Sequence, residues 1–343
     1  MQKHQNRLQA VIALGDFFRT YQKNTPNDSD FDICIGKAEI ENGWFTSEVL
    51  SKSIANWGAV LTSENIKKWL LDYSFGNESP KTIALILAGN IPMVGLHDLL
   101  CVWISGHDAV VKLASKDQRL LPFIADFLTR QAQESPNTIK FVSGKLSSFD
   151  AVIATGSNNA ARYFEHYFSH VPNIIRKNRN AVAVLSGNES IAELEDLGDD
   201  ILQYFGLGCR NVSKLMLPKG FDLNAVFGGL YRQSEIINNA KYANNYDYNK
   251  AVFLMSEFDF LENGFFILKE DPAIAAPIAC AHYEYYDSLE QCASLLKENE
   301  DKIQCVVSHL DLDNTIPFGK AQQPELWDYA DQVDTLDFLI TLK

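Results

Sequence analysis

The chain has 343 residues, 46% hydrophobic and 22% charged, a globular composition long enough for about two domains of roughly 150 residues. Forty-four acidic against 30 basic residues leave a net charge of −14, which argues against a broad nucleic-acid surface and confines any anionic ligand to a local basic pocket. Six cysteines with no CxxC pair, a start Met1-Gln2-Lys3-His4-Gln5 with no secretory pattern, and no uncharged apolar run of membrane-spanning length lead to the expectation of a reduced, soluble, cytoplasmic chain.

Residues 1–80 read as a helical, polar lead-in, with Asn6 to Thr20 and Ser63 to Tyr73 carrying apolar residues at spacings of three and four. From Thr82 short apolar runs alternate with helical stretches: Thr82 to Ala88, Ala109 to Leu113, Ile139 to Val142, Asp150 to Ala154 and Ala181 to Leu185. This alternation predicts a mostly parallel sheet with helices on both faces. A helix over Ile191 to Phe205 follows. Near Gly206 the pattern restarts, with strand candidates at Ser213 to Leu217, Lys250 to Met255, Phe265 to Leu268 and Gln304 to Ser308. A second α/β domain is therefore expected. At the C-terminus Leu336, Phe338, Ile340 and Leu342 alternate as on one side of a strand, which would have to pair with its own sheet or with a partner subunit.

Ligands of open parallel sheets bind at the carboxyl ends of strands, so the residues there carry most information. In Gly89-Asn90-Ile91-Pro92 the proline suits a first helical turn, and Asn90 either caps the helix or offers its amide to a ligand. Lys112-Leu113-Ala114-Ser115-Lys116 ends a buried strand on a lysine that must either meet an anion or snorkel to water. Thr155-Gly156-Ser157-Asn158-Asn159 opens a helix whose amides and hydroxyl suit a phosphate or a plain N-cap.

Gly206-Leu207-Gly208-Cys209-Arg210-Asn211 follows a helix and lacks a third glycine, so it fails as a dinucleotide fingerprint. Its glycines instead clear space around Cys209, whose thiolate the neighbouring Arg210 would favour; the alternative is a small buried hydrophobe, as expected for the other five cysteines. His166 and His170 flank a tyrosine where a zinc-protease helix needs glutamate, so no metal site is expected. The run Arg176-Lys177-Asn178-Arg179 reads as a solvated loop or as a phosphate-recognising edge.

Taken in order, the segments at Gly89–Pro92, Lys112–Ser115 and Thr155–Ser157, followed by Phe205-Gly206-Leu207-Gly208-Cys209-Arg210-Asn211-Val212, resemble motifs of the aldehyde dehydrogenase superfamily. They are more closely similar to its acyl-CoA reductase branch, the LuxC-like family, from about Thr82 onward. The resemblance implies an α/β, aldehyde dehydrogenase-like fold of two α/β domains with mostly parallel sheets and a C-terminal strand. Residues 1–80 would be a helical region packing on the core, 81–188 the nicotinamide dinucleotide domain, 189–318 the catalytic domain, and 319–343 a segment with an oligomerisation strand. Cys209 would be the nucleophile, and Asn90 with the Cys209 backbone amide the oxyanion donors. Lys112, Ser115 and Lys116 would face the cofactor ribose, and Gly156 and Ser157 its phosphates.

Two departures shape the functional expectation. The stretch Val171 to Ser186, where aldehyde-oxidising members carry a general-base glutamate, contains no carboxylate, so an acyl-enzyme would resist water. The family's C-terminal ribose glutamate has only the poor match Glu270-Asp271-Pro272-Ala273-Ile274-Ala275-Ala276-Pro277, and no role is assigned to Glu270. The expected activity is NADPH-dependent reduction of a long-chain acyl-CoA or other acyl thioester to the aldehyde. NADP is favoured because Ser115 and Lys116 stand where NAD sites usually place a carboxylate. The alternatives are a short-chain CoA-acylating aldehyde dehydrogenase, an acyl-phosphate reductase, and a catalytically silent scaffold. Expected partners are an acyl-CoA or acyl-protein thioester, further copies in a homo-oligomer, and an acyl-activating or acyl-transfer enzyme; Arg176, Lys177 and Arg179 are candidates for the CoA phosphates. Neither a nucleic-acid partner nor a membrane span is expected.

Overall fold

The computed structural model describes residues 2–23, 29–76 and 79–342, so residues 1, 24–28, 77 and 78 of the expected helical lead-in lie outside the described residues. The chain divides into two compact units, Met1–Lys177 with Glu325–Lys343, and Asn178–Pro324.

The first unit begins with helices α1 (Gln2–Thr20), α2 (Ser29–Glu41), α3 (Ser47–Val60) and α4 (Ser63–Trp69). Thr46 and Thr62 cap α3 and α4 by accepting the backbone N–H of Val49 and Asn65. Strands β1 (Thr82–Ile86), β2 (Asp108–Lys112), β3 (Ile139–Phe141), β4 (Ala151–Thr155) and β5 (Asn173–Arg176) alternate with α5 (Leu96–Ile104), α6 (Leu120–Gln131) and α7 (Asn158–Tyr167). They form one parallel sheet in the order β3-β2-β1-β4-β5. On β1, Ile83 and Leu85 pack into the core shared with α1–α3, α5 and α6, while Ala84 and Ile86 pack on the other face with Phe164 of α7 and Phe168. Both faces are covered, which is why this strand reads as an unbroken apolar run. The order reverses between β1 and β4, creating a topological switch point at the sheet's centre.

The second unit carries β6 (Asn180–Val184), α8 (Ile191–Leu202), β7 (Val212–Pro218), α9 (Leu223–Leu230), α10 (Ala240–Met255), β8 (Leu261–Glu262), β9 (Ile267–Glu270), β10 (Cys280–Tyr286), α11 (Leu289–Glu298), β11 (Ile303–Val307) and β12 (Thr315–Ile316). Its sheet runs β12-β11-β6-β7-β10-β9-β8, parallel except for the edge strand β8. Ser190 and Glu193 form a reciprocal capping box on α8. Helix α9 approaches α8 so closely at Gly229 that a Cβ there would lie 2.4 Å from the Leu194 carbonyl oxygen. The chain then returns to the first unit and ends in α12 (Thr335–Ile340).

Three expectations are corrected. Lys250 to Met255 is not a strand but the end of α10, whose start is capped by Asn239 and whose buried face is Tyr242, Tyr246, Asn249 and Phe253; the apolar run taken by itself conceals that helical spacing. The C-terminal strand is α12: Asp334 caps it by accepting the Asp337 N–H, and Leu336 and Leu339 are buried in the first unit's core together with Leu342. A segment expected to offer a strand to a partner is thus a helix packed on its own unit. The division between units falls at 177/178 rather than near 188, because β6 pairs with β7 and β11 and belongs to the second sheet. No helix among the described residues is long and apolar enough to cross a membrane.

Candidate active site

In the first unit the sequence motifs converge on one edge of the sheet. Ile86 of β1 is in register with Lys112 of β2 and with Ala154 of β4, so the segments that follow these strands leave the sheet side by side at its carboxyl edge, around the switch point. Gly89 makes this juxtaposition feasible, since a Cβ there would lie 2.8 Å from Ala114 Cβ and 2.9 Å from Asp117 Cβ. Asn90 sits half-buried on the turn between β1 and α5. It does not cap α5: the cap position is Gly95, which has no side chain to offer. The turn is gripped from the helical lead-in, with Asn42 Nδ2 donating to the Gly89 carbonyl at 3.5 Å and Ser53 Oγ to the Pro92 carbonyl at 3.2 Å.

Lys112 is partly buried at the end of β2, whereas Ser115 and Lys116 are exposed on the loop beyond it. Ser157 is the N-cap of α7, its Oγ accepting the Ala160 N–H at 3.3 Å. Gly156 is needed for packing, because a Cβ would lie 2.9 Å from Phe164 Cε2 and 3.0 Å from Ala160 Cβ. The plain N-cap reading is therefore realised, and the start of α7 still places the positive end of a helix dipole at the carboxyl end of β4.

The basic run is not an open phosphate edge. Arg176 is buried, paired with Asp98 and donating to Thr335 Oγ1 at 2.9 Å. Lys177 pairs with Glu165 at 2.7 Å, and Arg179 donates to the carbonyls of Glu300 and Ile303 at 3.1 and 3.3 Å. The Asp98–Arg176–Thr335 cluster joins residues far apart in the chain, so no local signal announces it.

In the second unit, Cys209 stands at the apex of a turn between α8 and β7, the central strand of the sheet. The turn is entered through Tyr204, Phe205 and Gly206, with φ of 55°, 58° and 73°. Left-handed backbone at two aromatic residues costs roughly 1–2 kcal/mol each, offset here by burial of both rings. Asn211, fully buried, ties the turn to the helix. Its Nδ2 donates to the carbonyls of Asp200, Ile201 and Gln203 at 3.1, 3.1 and 2.8 Å, satisfying the end of α8, while its Oδ1 accepts the Gly208 N–H at 2.7 Å. Arg210, read from the sequence as a cation for the thiolate, donates its Nε to the Ala321 carbonyl. The Asp200 carboxyl, pushed up to about 7 by burial, accepts the N–H groups of Gly319 and Ala321. Asn211 and Asp200 are the residues the sequence leaves unmarked. A glycine three places ahead of an asparagine, just before an apolar strand, is the available signal.

Exposure separates the cysteines. Cys34, Cys101, Cys280 and Cys292 are buried, and burial pushes each thiol above its ordinary value. Cys209 is exposed and Cys305 intermediate. Glu270, at the end of β9, is exposed; the loop after it is held by Lys214, His282 and Ser213, which meet the carbonyls of Asp271, Ala273 and Ile274.

Asn211→Ala strips partners from three carbonyls and one N–H in a buried setting. It is expected to destabilise the protein by about 3 kcal/mol, measured by urea unfolding; a loss under about 1 kcal/mol would show that water replaces those bonds.

No family model and no curated protein sequence matches the chain. Solved structures do. An indole-3-acetaldehyde dehydrogenase of P. syringae in complex with NAD+ and IAA aligns with TM-score 0.65 and 11% identity over 89% of this chain and 72% of that one. An aldehyde dehydrogenase of Mycobacterium tuberculosis complexed with NAD+ aligns with TM-score 0.63 and 12% identity over 90% and 73%. Another, from Physcomitrella patens with the reaction product succinate, aligns with TM-score 0.66 and 12% identity over 99% and 83%. The chain has the aldehyde dehydrogenase-like α/β fold.

Proposed function

We propose that the protein reduces an acyl thioester, a long-chain acyl-CoA, to the corresponding aldehyde with NADPH, through a thioester on Cys209. The observation that carries this reading is the exposed Cys209 at the apex of a turn locked by Asn211, set against four buried thiols. Cys209 Sγ attacks the acyl carbonyl, and its own backbone N–H hydrogen-bonds the oxyanion; the Asn90 amide is the second donor that the motif resemblance implies. The carbon–sulfur bond to CoA breaks, and CoA departs as thiolate. One thioester replaces another, so this transfer is nearly balanced in energy. Because Val171 to Ser186 supplies no carboxylate, water is not activated against the acyl-enzyme.

The residues at the carboxyl edge of the first sheet suit a nicotinamide dinucleotide: Lys112 and Lys116 offer charge, Gly89 keeps two strand exits close, and the start of α7 at Gly156 and Ser157 favours a phosphate. When bound, NADPH would supply the hydride that reduces a thioester carbonyl to the thiohemiacetal level. Cys209 then leaves as thiolate and the aldehyde is released. The absence of a carboxylate at Ser115 and the charge of Lys116 support NADPH over NADH, and neighbours solved with NAD+ support a nicotinamide cofactor in general.

The test is cofactor oxidation with tetradecanoyl-CoA, acetyl-CoA and an acyl phosphate. A lower Michaelis constant for NADPH and highest kcat/KM for the long-chain thioester are expected. A clear NADH preference overturns the cofactor assignment, a short-chain optimum overturns the acyl assignment, and inactivity of folded protein on every acyl thioester overturns the reaction.

A further inference from the structure

The turn that carries Cys209 spans residues 208–211 and is closed by the Asn211 N–H on the Gly208 carbonyl at 3.0 Å. Asn211 fastens it on one side, to the end of α8. A second fastening is Arg210, whose Nε donates to the carbonyl of Ala321, 111 positions further along the chain. This directed bond gives the side chain a mechanical task besides any charge it lends the thiolate.

Ala321 is itself held. Its N–H donates to Asp200 Oδ1 at 2.8 Å, and the Gly319 N–H donates to Asp200 Oδ2 at 2.7 Å. Asp200 is 1% exposed near the end of α8, where an unpartnered carboxyl would be costly. Both of its oxygens serve this one loop. The loop is tightly wound: the Lys320 N–H meets the Pro317 carbonyl at 3.3 Å, and the Gln323 N–H meets the Lys320 carbonyl at 3.1 Å. Gly319, with φ of 77°, brings it against α8, since a Cβ there would lie 3.1 Å from Asp196 Cβ. The contacts therefore run from the Asp200 carboxyl to the backbone of 319–321, from the Ala321 carbonyl to Arg210, and from Arg210 to its neighbour Cys209. All of them lie within the second unit.

We propose that Asp200 is a positioning residue for Cys209: it fixes the 319–321 loop on which Arg210 is anchored, and so holds the Cys209 backbone N–H in place for the acyl oxyanion. The catalytic half rests on the acyl-thioester reading of Cys209; the clamp on the turn does not. Asp200→Leu removes both acceptors, Asp200→Asn leaves one carbonyl oxygen, and Arg210→Met keeps an apolar stem but loses the donor.

Hydrogen–deuterium exchange tests the clamp. The Gly319 and Ala321 amides of the wild type are expected to be protected. Asp200→Leu should speed exchange about tenfold in both 319–321 and 208–211, whereas Arg210→Met should do so in 208–211 alone, because Asp200 still holds the loop. Two reactions of Cys209, followed by peptide mass, test the catalytic half. Acylation by the small thioester S-acetyl-N-acetylcysteamine passes through an oxyanion: the Cys209 sulfur takes the acetyl group, and the departing thiolate takes the proton. Alkylation by iodoacetamide displaces iodide and forms no oxyanion. Asp200→Leu and Arg210→Met should each slow acylation about tenfold, part of what losing an oxyanion donor outright costs, and leave alkylation within about twofold of wild type. Their combination should be no slower than the slower single variant, since both act through Ala321. Asp200→Asn should fall between wild type and Asp200→Leu. Wild-type acylation in Arg210→Met, equal slowing of both reactions, additive losses in the double variant, or unchanged exchange at 208–211 overturns the proposal. If Asp200→Leu does not fold, Arg210→Met and Asp200→Asn decide it by the same readouts. If folded wild type is alkylated at Cys209 but acylated by no thioester, the reductase reading fails, and the exchange measurement still decides the clamp.

Discussion

Cys209→Ala is expected to abolish both NADPH oxidation with tetradecanoyl-CoA and the gain of acyl mass on the protein, with the rate falling at least about 10⁴-fold, as for loss of a nucleophile. The side chain is exposed at the tip of its turn, and Asn211 ties that turn to the end of α8 and to the Gly208 N–H. Folding stability should therefore stay within about 0.5 kcal/mol of wild type, and the loss can be assigned to chemistry. Intact-mass measurement after incubation with acyl-CoA checks the claim. Persistent acylation of the variant would move the nucleophile elsewhere, and absence of acylation in the folded wild type would favour a silent scaffold.

Asn90→Ala is expected to lower the maximal rate about 10²–10³-fold, the usual consequence of losing one preorganised oxyanion donor, while leaving the affinity for NADPH unchanged. The two roles considered for Asn90 separate cleanly in this measurement. A capping residue would cost about 1 kcal/mol of stability and little rate, but Gly95 occupies the cap of α5. Pre-steady-state acylation of Cys209 and thermal unfolding of the same variant give the two numbers. A destabilised variant with normal acylation would remove Asn90 from the site.

How much of this was legible in the sequence follows from which interactions are local. The strands at 82–86, 108–112, 151–155, 180–184 and 212–218 announce themselves because parallel strands covered on both faces need continuous apolar residues. Strand β10 carries His282, Glu284 and three tyrosines, so it lacks that mark and its residues 280–286 were not read as a strand. The end of α10 resembles a strand in sequence because Ala251 to Met255 is apolar on all sides, and its exposed members Leu254 and Met255 hide the helical period. The C-terminal leucines illustrate the reverse error: an alternating pattern at 336, 338, 340 and 342 fits a strand, but Asp334 caps the segment and only Leu336, Leu339 and Leu342 of its large apolar residues are buried.

The candidate site was legible as motifs and not as geometry. Asn90, Lys112 and Ser157 stand out because each ends or follows a strand, and the register of β1 with β2 and β4 sets the ends of those strands level. Cys209 follows no strand; its glycines marked it. Asp200 and Asn211 act through backbone groups 3 to 121 positions away, and such pairings leave no periodic trace. The same is true of Arg176, which the run of basic residues made look available and which Asp98 holds in the core.

The chain leaves the first unit at Lys177 and rejoins it at Glu325, and this has a consequence for synthesis. A ribosome delivers residues 1–177 before residues 178–324, yet the first unit's core lacks Leu326, Leu336, Leu339 and Leu342 until the segment after residue 324 emerges. Residues 178–324, all of one unit, are available to close while the unit begun before them is still missing its final helix. Until residues 325–342 are made, the nascent chain therefore carries an unfinished apolar surface on the first unit.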